Sequence, residues 1–239
     1  MSSLVSYQLL DGVATIVMDD GKVNVLSSQM LASIGEALDQ SVSDGAPVVL
    51  TGRVGIFSGG FDLKVLTAGG PDAARMLEDG FELALRLLEH PTPVVIATNG
   101  HTVAMAVFLL LSGDYRMGVD GPFQIVANEV AIGMTMPWAA IEICRQRLTP
   151  SHFSRVVNLA EAYTPAQGVA AGLLDEVVDA GDLMPAATTM AQRLAGLDRA
   201  AHAATKLRSR RAALNAIRAG LEKDRPIFQQ LAAASNATT

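Results

Sequence analysis

The stretch that decides the fold is Val94–Pro137, VVIATNGHTVAMAVFLLLSGDYRMGVDGPFQIVANEVAIGMTMP. It opens as a short apolar strand, Val94 to Ala97, breaks at Asn99-Gly100, and resumes as the apolar run Val103 to Leu111. A membrane span needs ~20 apolar residues, so this shorter run reads as a buried helix. Asn99, Gly100 and Thr102 are turn and N-cap residue types, which predicts that the strand hands over to a helix start there. The N-terminus of a buried helix carries free backbone N–H groups and the positive end of the helix dipole, a place to stabilise negative charge on oxygen. Further on, Glu129 stands among Ile125, Val126, Ala127, Val130, Ala131 and Ile132. A carboxylate in such company is either paired or kept for chemistry.

The whole chain bounds the reading. Its 239 residues suit one large domain, or one with a small appendage, and half of them are hydrophobic, enough for a large core. The single cysteine, Cys144, excludes an intrachain disulfide framework and suits a reducing compartment. The start, MSSLVSYQLLDG, has neither a basic n-region nor a long apolar h-region, so the expectation is a cytoplasmic protein without a signal peptide. A net charge of −6 argues against nucleic acid as a partner, and an anionic ligand would need a local basic patch. Lys206, Arg208, Arg210, Arg211 and Arg218 form one, although a solvated helix face accounts for most of them.

Tyr7–Leu10 and Val13–Met18 flank Asp11-Gly12, a strong hairpin signal. Ser27 and Ser28 precede Met30, Leu31, Ile34, Leu38 and Val42 at helical spacing, and Pro47–Leu50 reads as a buried strand. Thr51–Asp62, TGRVGIFSGGFD, is a glycine-rich loop that fits neither Walker A nor GxGxxG. Such a loop lets backbone approach a ligand, though Gly59-Gly60 by itself is often only a turn. Phe61–Leu66 predicts a short helix and Asp72–His90 an amphipathic one. Tyr115–Gly118 and Phe123–Val126 read as strands, and helices are expected from Pro137, Pro150 and Pro165. Gly172–Val178 leads into an edge strand, and from Asp182 the chain is helical to a small, polar tail, Ala232–Thr239, that is expected to fray. Repeated strand–helix alternation means an α/β core, residues 1–180, followed by a helical region, 181–239.

Four motifs in this order resemble the crotonase (enoyl-CoA hydratase/isomerase) superfamily over nearly the whole chain. They are Lys22-Val-Asn24-Val-Leu26; Phe57-Ser-Gly-Gly60-Phe61-Asp62-Leu-Lys64; Pro93 to Gly100 with Asp114 beyond the next helix; and Asn128-Glu129-Val-Ala-Ile-Gly133 before Pro137. Ala170-Ala171-Gly172-Leu173-Leu174-Asp175 also fits. The resemblance implies a crotonase-like spiral of ββα units and a C-terminal helical region that builds homotrimers, often paired as homohexamers. It implies an acyl-CoA thioester as substrate, with no separate cofactor and no metal. It also implies an oxyanion hole made by two backbone N–H groups, which by position belong to Phe61 and Met105. Gly59, Gly60, Asp62, Lys22 and Lys64 lie where the family runs beside CoA, and for the two lysines simple solvation is the alternative. Glu129 matches the acid shared by hydratases and single-acid isomerases.

The sequence also departs from the family. Ala104-Met105-Ala106 replaces a Gly-Gly-Gly run, and Phe108 stands where hydratases carry a second glutamate. Standard water addition uses two carboxylates, whereas a 1,3-proton shift needs one, so the pattern favours 3-enoyl to 2-enoyl isomerisation. The alternatives are a hydratase with a non-standard water site, with Glu142 as its candidate, and a catalytically idle acyl-CoA binding protein. Trp138, where the family often has glycine, either narrows the acyl pocket beside Phe108 or belongs to the core. His101 at the oxyanion turn reads as a structural hydrogen-bonder, and Asp114 as a cap or pairing residue. His90, His152 and His202 have no metal-ligand spacing. The family often ends in a further helix that closes over CoA. This sequence stops soon after Phe228, which leaves adenine contacts from that element without a counterpart.

Overall fold

The computed structural model describes residues 4–234, so the tail at 235–239 lies outside it. Strands β1 (Val5–Leu10) and β2 (Val13–Met18) form the antiparallel hairpin expected at Asp11-Gly12. Both turn residues have positive φ, +49° and +76°, as a tight two-residue turn requires. Helix α1 (Ser28–Asp44) starts where Ser27 accepts a hydrogen bond from the Met30 N–H, and it ends at left-handed Gly45.

Three ββα units follow. The first holds β3 (Val48–Thr51), β4 (Gly55–Ser58), the short α2 (Leu63–Ala68) and α3 (Gly70–Glu89). The second holds β5 (Val94–Thr98), β6 (Gly100–Val103) and α4 (Met105–Leu111). The third holds β7 (Tyr115–Val119), β8 (Ile125–Val126) and a 3-10 turn, Val130–Ile132. Helices α5 (Trp138–Arg145), α6 (Pro150–Leu159) and α7 (Pro165–Ala171), strand β9 (Glu176–Val178), and helices α8 (Leu183–Ala195) and α9 (Arg199–Ala234) complete the chain.

Each unit sends its first strand to one sheet and its second to another. Among the described residues the larger sheet runs β1-β2-β3-β5-β7-β9 and the smaller β4-β6-β8. Among the described residues, every pairing between these strands beyond the first hairpin is parallel. The strands of the larger sheet alternate strictly. Ile16, Val48, Leu50 and Ile96 face the main core, while Val13, Val49, Val95 and Ala97 face Leu183, Ala187 and Ala191 of α8.

The structure corrects several local expectations. Asn99–Thr102 does not begin a helix, because Gly100–Val103 is strand β6 and the helix starts only at Met105. The reason is tertiary. A Cβ on Gly100 would lie 1.9 Å from the Gly55 carbonyl carbon, so backbone meets backbone there and the chain is drawn into the small sheet. The short helix begins at Leu63 rather than Phe61, because Asp62 caps it by accepting from the Lys64 N–H at 2.9 Å. The strand at Phe123–Val126 shrinks to Ile125–Val126. The C-terminal helical region packs on the rest of the chain. Leu214, Ile217, Leu221 and Phe228 of α9 are buried in the main core, and Asp224 caps α5 by accepting from the N–H groups of Trp138 and Ala139, both at 2.9 Å. Among the described residues no helix is long and apolar enough to cross a membrane.

Candidate active site

The small parallel sheet brings three chain segments together at its C-terminal edge. β4 runs into Gly59-Gly60-Phe61, β6 into Ala104-Met105, and β8 into Asn128-Glu129. In a parallel sheet these ends lie side by side, so residues far apart in sequence share one mouth.

Gly60 has φ +85°, and a Cβ there would lie 2.9 Å from the Ala104 Cβ and 3.5 Å from the Met105 nitrogen. Ala104 itself adopts φ +52° and ψ −123°, a conformation that disfavours any L side chain, at the turn into α4. The turn leaves the Met105 N–H as the first of the helix, without an intrahelical acceptor. The Phe61 N–H also has no acceptor among the described residues. The Lys22–Leu26 turn straps the glycine loop from the side, with Gly59 N–H donating to Val23 O at 2.9 Å and Leu26 N–H to Gly60 O at 2.8 Å. Buried Asn24 fixes that strap, donating from Nδ2 to Met18 O at 3.0 Å and to Phe57 O at 3.1 Å.

Glu129 is 6% exposed, and its Oε2 has no hydrogen-bond partner. Burial among apolar groups pushes its carboxyl up from 4.5 to about 7, opposed only by a hydrogen bond from its own backbone. Its carbonyl accepts from Met134 N–H at 2.8 Å, which anchors the segment after the 3-10 turn. Asn128 Oδ1, beside it, is also buried without a partner. Cys144 lies close enough for the Glu129 carboxylate to raise its thiol, which burial already holds up strongly, so it is an inert core group.

Phe61, Phe81, Phe108, Glu129 and Met134 line one apolar cavity of about 100 Å³, together with Gly59 and Ala104. Glu129 is the only ionisable side chain in that lining. Phe108 is buried and stacks on Phe81 at 6.1 Å between centroids, and Phe81 stacks in turn on Phe228 of α9 at 6.1 Å. The cavity therefore rests on an aromatic column that reaches the C-terminal helix.

The other expected residues fall as follows. Trp138 neither lines the cavity nor joins the core; it is 49% exposed, with the Lys223 ammonium 4.9 Å from its ring centroid. The cap that Asp224 places on α5 turns this residue outward. Glu142 pairs with Arg145 at 3.1 Å, one turn along α5, and is absent from the cavity. His101 accepts from the Gln124 N–H at 3.1 Å and packs edge-on against Phe123, a structural role. Lys22 is exposed on the turn beside Gly59, and Lys64 is exposed in the first turn of α2. Asp62 is committed to capping α2. Asp114 is a pairing residue, 2.7 Å from Lys206 Nζ and 2.8 Å from Arg210 Nη2, which draws part of the basic patch inward. Among the described residues no three His, Cys, Asp or Glu side chains gather as a metal site would require. Sequence reasoning missed Leu63, Leu66, Leu77, Phe81, Ile132 and Met134 as cavity walls. Apolar residues on helices look the same in sequence whether they line a cavity or fill a core.

A family model described as enoyl-CoA hydratase/isomerase matches residues 9–238. Enoyl-CoA delta isomerase 1 of Mus musculus, a mitochondrial protein, is 31% identical over 172 residues, 70% of this chain and 60% of that protein. The match thus spans about 60% of that relative's length. A probable enoyl-CoA hydratase, EchA17 of Mycobacterium avium, is 28% identical over 201 residues, 82% of this chain and 77% of that one. Among solved structures, the apo form of an Mtb enoyl-CoA isomerase superposes with a TM-score of 0.89 at 48% identity, covering 93% of this chain and 97% of that one. The relatives thus include both an isomerase and a probable hydratase.

Proposed function

Because the chain belongs to the enoyl-CoA hydratase/isomerase family, we propose that it acts on acyl-CoA thioesters and converts 3-enoyl-CoA to 2-enoyl-CoA, with Glu129 as its single acid/base. The observation that carries this reading is the lone carboxylate: one buried Glu129, its Oε2 without a hydrogen-bond partner, in a cavity that Phe108 also lines. Standard water addition uses a second carboxylate to hold and activate water, and beside Glu129 the cavity lining offers only the amide of Asn128. Glu142, the candidate for that part, is engaged with Arg145.

The proposed reaction is a proton shuttle. The Glu129 carboxylate takes a proton from C2 of the 3-enoyl thioester. The electron pair passes into a dienolate whose charge lies on the thioester oxygen, between the Phe61 and Met105 N–H groups. Protonated Glu129 then returns the proton to C4, and the double bond ends at C2–C3. Each oxyanion donor is worth roughly 3–4 kcal/mol in comparable sites. An acid–base group near pKa 7 is suited to both halves of the shuttle at neutral pH. CoA would run past Gly59 and Gly60, with Lys22 and Lys64 toward its phosphates, in a homotrimeric or homohexameric assembly. The direct test is Glu129→Gln, which should lower kcat on 3-enoyl-CoA at least a thousandfold while acyl-CoA binding persists. Undiminished turnover would remove the proposal.

A further inference from the structure

The segment after Glu129 separates two spaces. On one side is the cavity at Glu129, about 100 Å³. On the other is an open cleft of about 440 Å³, walled by Val130, Met136, Ile141 and Val157, with Thr135 and Asn158 at its surface. Met134 lines both. Its backbone is fixed to the Glu129 carbonyl, but its side chain is half-buried, unbranched and apolar. Such a side chain changes rotamer without moving the backbone that holds the carboxylate.

At about 100 Å³ the cavity has less than a quarter of the space that the cleft, about 440 Å³, offers. The thioester carbonyl and the carbons that exchange the proton fill it. A longer acyl chain has to continue elsewhere, and the cleft behind Met134 offers apolar walls that adjoin the cavity through that residue. We infer that the Met136–Ile141–Val157 cleft takes the distal part of a long acyl chain, with the Met134 side chain as the partition that rotates to admit it. This inference rests on the acyl-thioester reading of the site. It makes Met134 a chain-length determinant and assigns the cleft between α5 and α6 to medium and long fatty acyl groups.

The test uses the intact protein and two saturated ligands that it does not turn over, butanoyl-CoA and dodecanoyl-CoA, with Kd measured by calorimetry. Burying each further methylene improves affinity on the order of fourfold, so the wild type should bind dodecanoyl-CoA far more tightly. Asn158→Trp fills the cleft from the exposed face of α6, away from Glu129, and Thr135→Trp fills it from the opposite wall. Either is expected to weaken dodecanoyl-CoA at least tenfold and to leave butanoyl-CoA unchanged. A wild type blind to chain length, or variants that shift neither ligand or both equally, would overturn the inference. Chain-length-dependent binding in a protein that converts no 3-enoyl-CoA would support the inference and remove the isomerase reading. Failure to bind either ligand would remove both.

Discussion

Gly60 packs so closely on the turn into α4 that a Cβ on the glycine would lie 2.9 Å from the Ala104 Cβ and 3.5 Å from the Met105 nitrogen, one of the two N–H groups proposed to hold the thioester oxygen. Two loops at the ends of adjacent parallel strands thus meet where the glycine has no side chain.

Gly60→Ala is therefore expected to lower kcat/KM on 3-enoyl-CoA by about 10²–10³, the loss seen when one oxyanion donor is removed. The positive φ of Gly60 adds backbone strain, so stability should fall by ~1 kcal/mol or more. Steady-state kinetics and thermal melts on the same preparation separate the two effects.

Glu129 ties activity to pH. Its folded pKa of about 7 lies above the unfolded value of 4.5. As the base it must be ionised, so kcat/KM should rise about tenfold per pH unit below 7 and level off above it. Stability runs the other way. The native state holds the proton more tightly, so this contribution is complete below pH 4.5 and is lost as pH rises through 7, about 3 kcal/mol at roughly 1.4 kcal/mol per pKa unit. Glu129→Gln should accordingly melt higher than the wild type at pH 8 and show no such gain at pH 4. Denaturant titrations at the two pH values check the sign.

Phe108 is expected to matter for packing and not for proton transfer. Phe108→Leu should keep isomerase activity within about fivefold, whereas Phe108→Ala, emptying the space against Phe81, should cost about 3–5 kcal/mol of stability. A thousandfold loss of kcat in the leucine variant, with normal stability, would give Phe108 a chemical role that its ring does not offer.

The buried ion group at the far end of the chain makes a separate prediction. Asp114 compensates Lys206 and Arg210, and Lys206 is desolvated enough to drop to about 8. Asp114→Ala leaves buried positive charge unpaired and should cost about 3–5 kcal/mol. Lys206→Met, which removes the most buried cation, should cost much less. The comparison of the two melts decides whether the group acts as a charge cluster or only as packing.

Local signals in the sequence were readable where neighbours in the chain make the structure. Thr164 and Gln167 form a reciprocal capping box, and helix Pro165–Ala171 appears at the bounds its sequence suggests. The hairpin at Asp11-Gly12 is equally local. Asn99–Thr102 misleads because its residue types favour a helix cap, while the contact of Gly100 with Gly55, 45 residues upstream, makes it a strand. At the site, motif order picks out Glu129, Phe61 and Phe108, which line one cavity, and Met105, whose nitrogen lies beside Gly60. Trp138 could not, because the cap that turns it outward comes from Asp224, far along the chain.

The most direct measurement is the mass of the product. The pure protein would be incubated separately with 3-enoyl-CoA and 2-enoyl-CoA, and the acyl thioesters identified by chromatography and mass spectrometry. A single carboxylate in the cavity predicts that the 3-enoyl substrate becomes the 2-enoyl isomer without change of mass and that neither gains water. A product heavier by one water would contradict the account, because the cavity would then hold and activate water without a second acid.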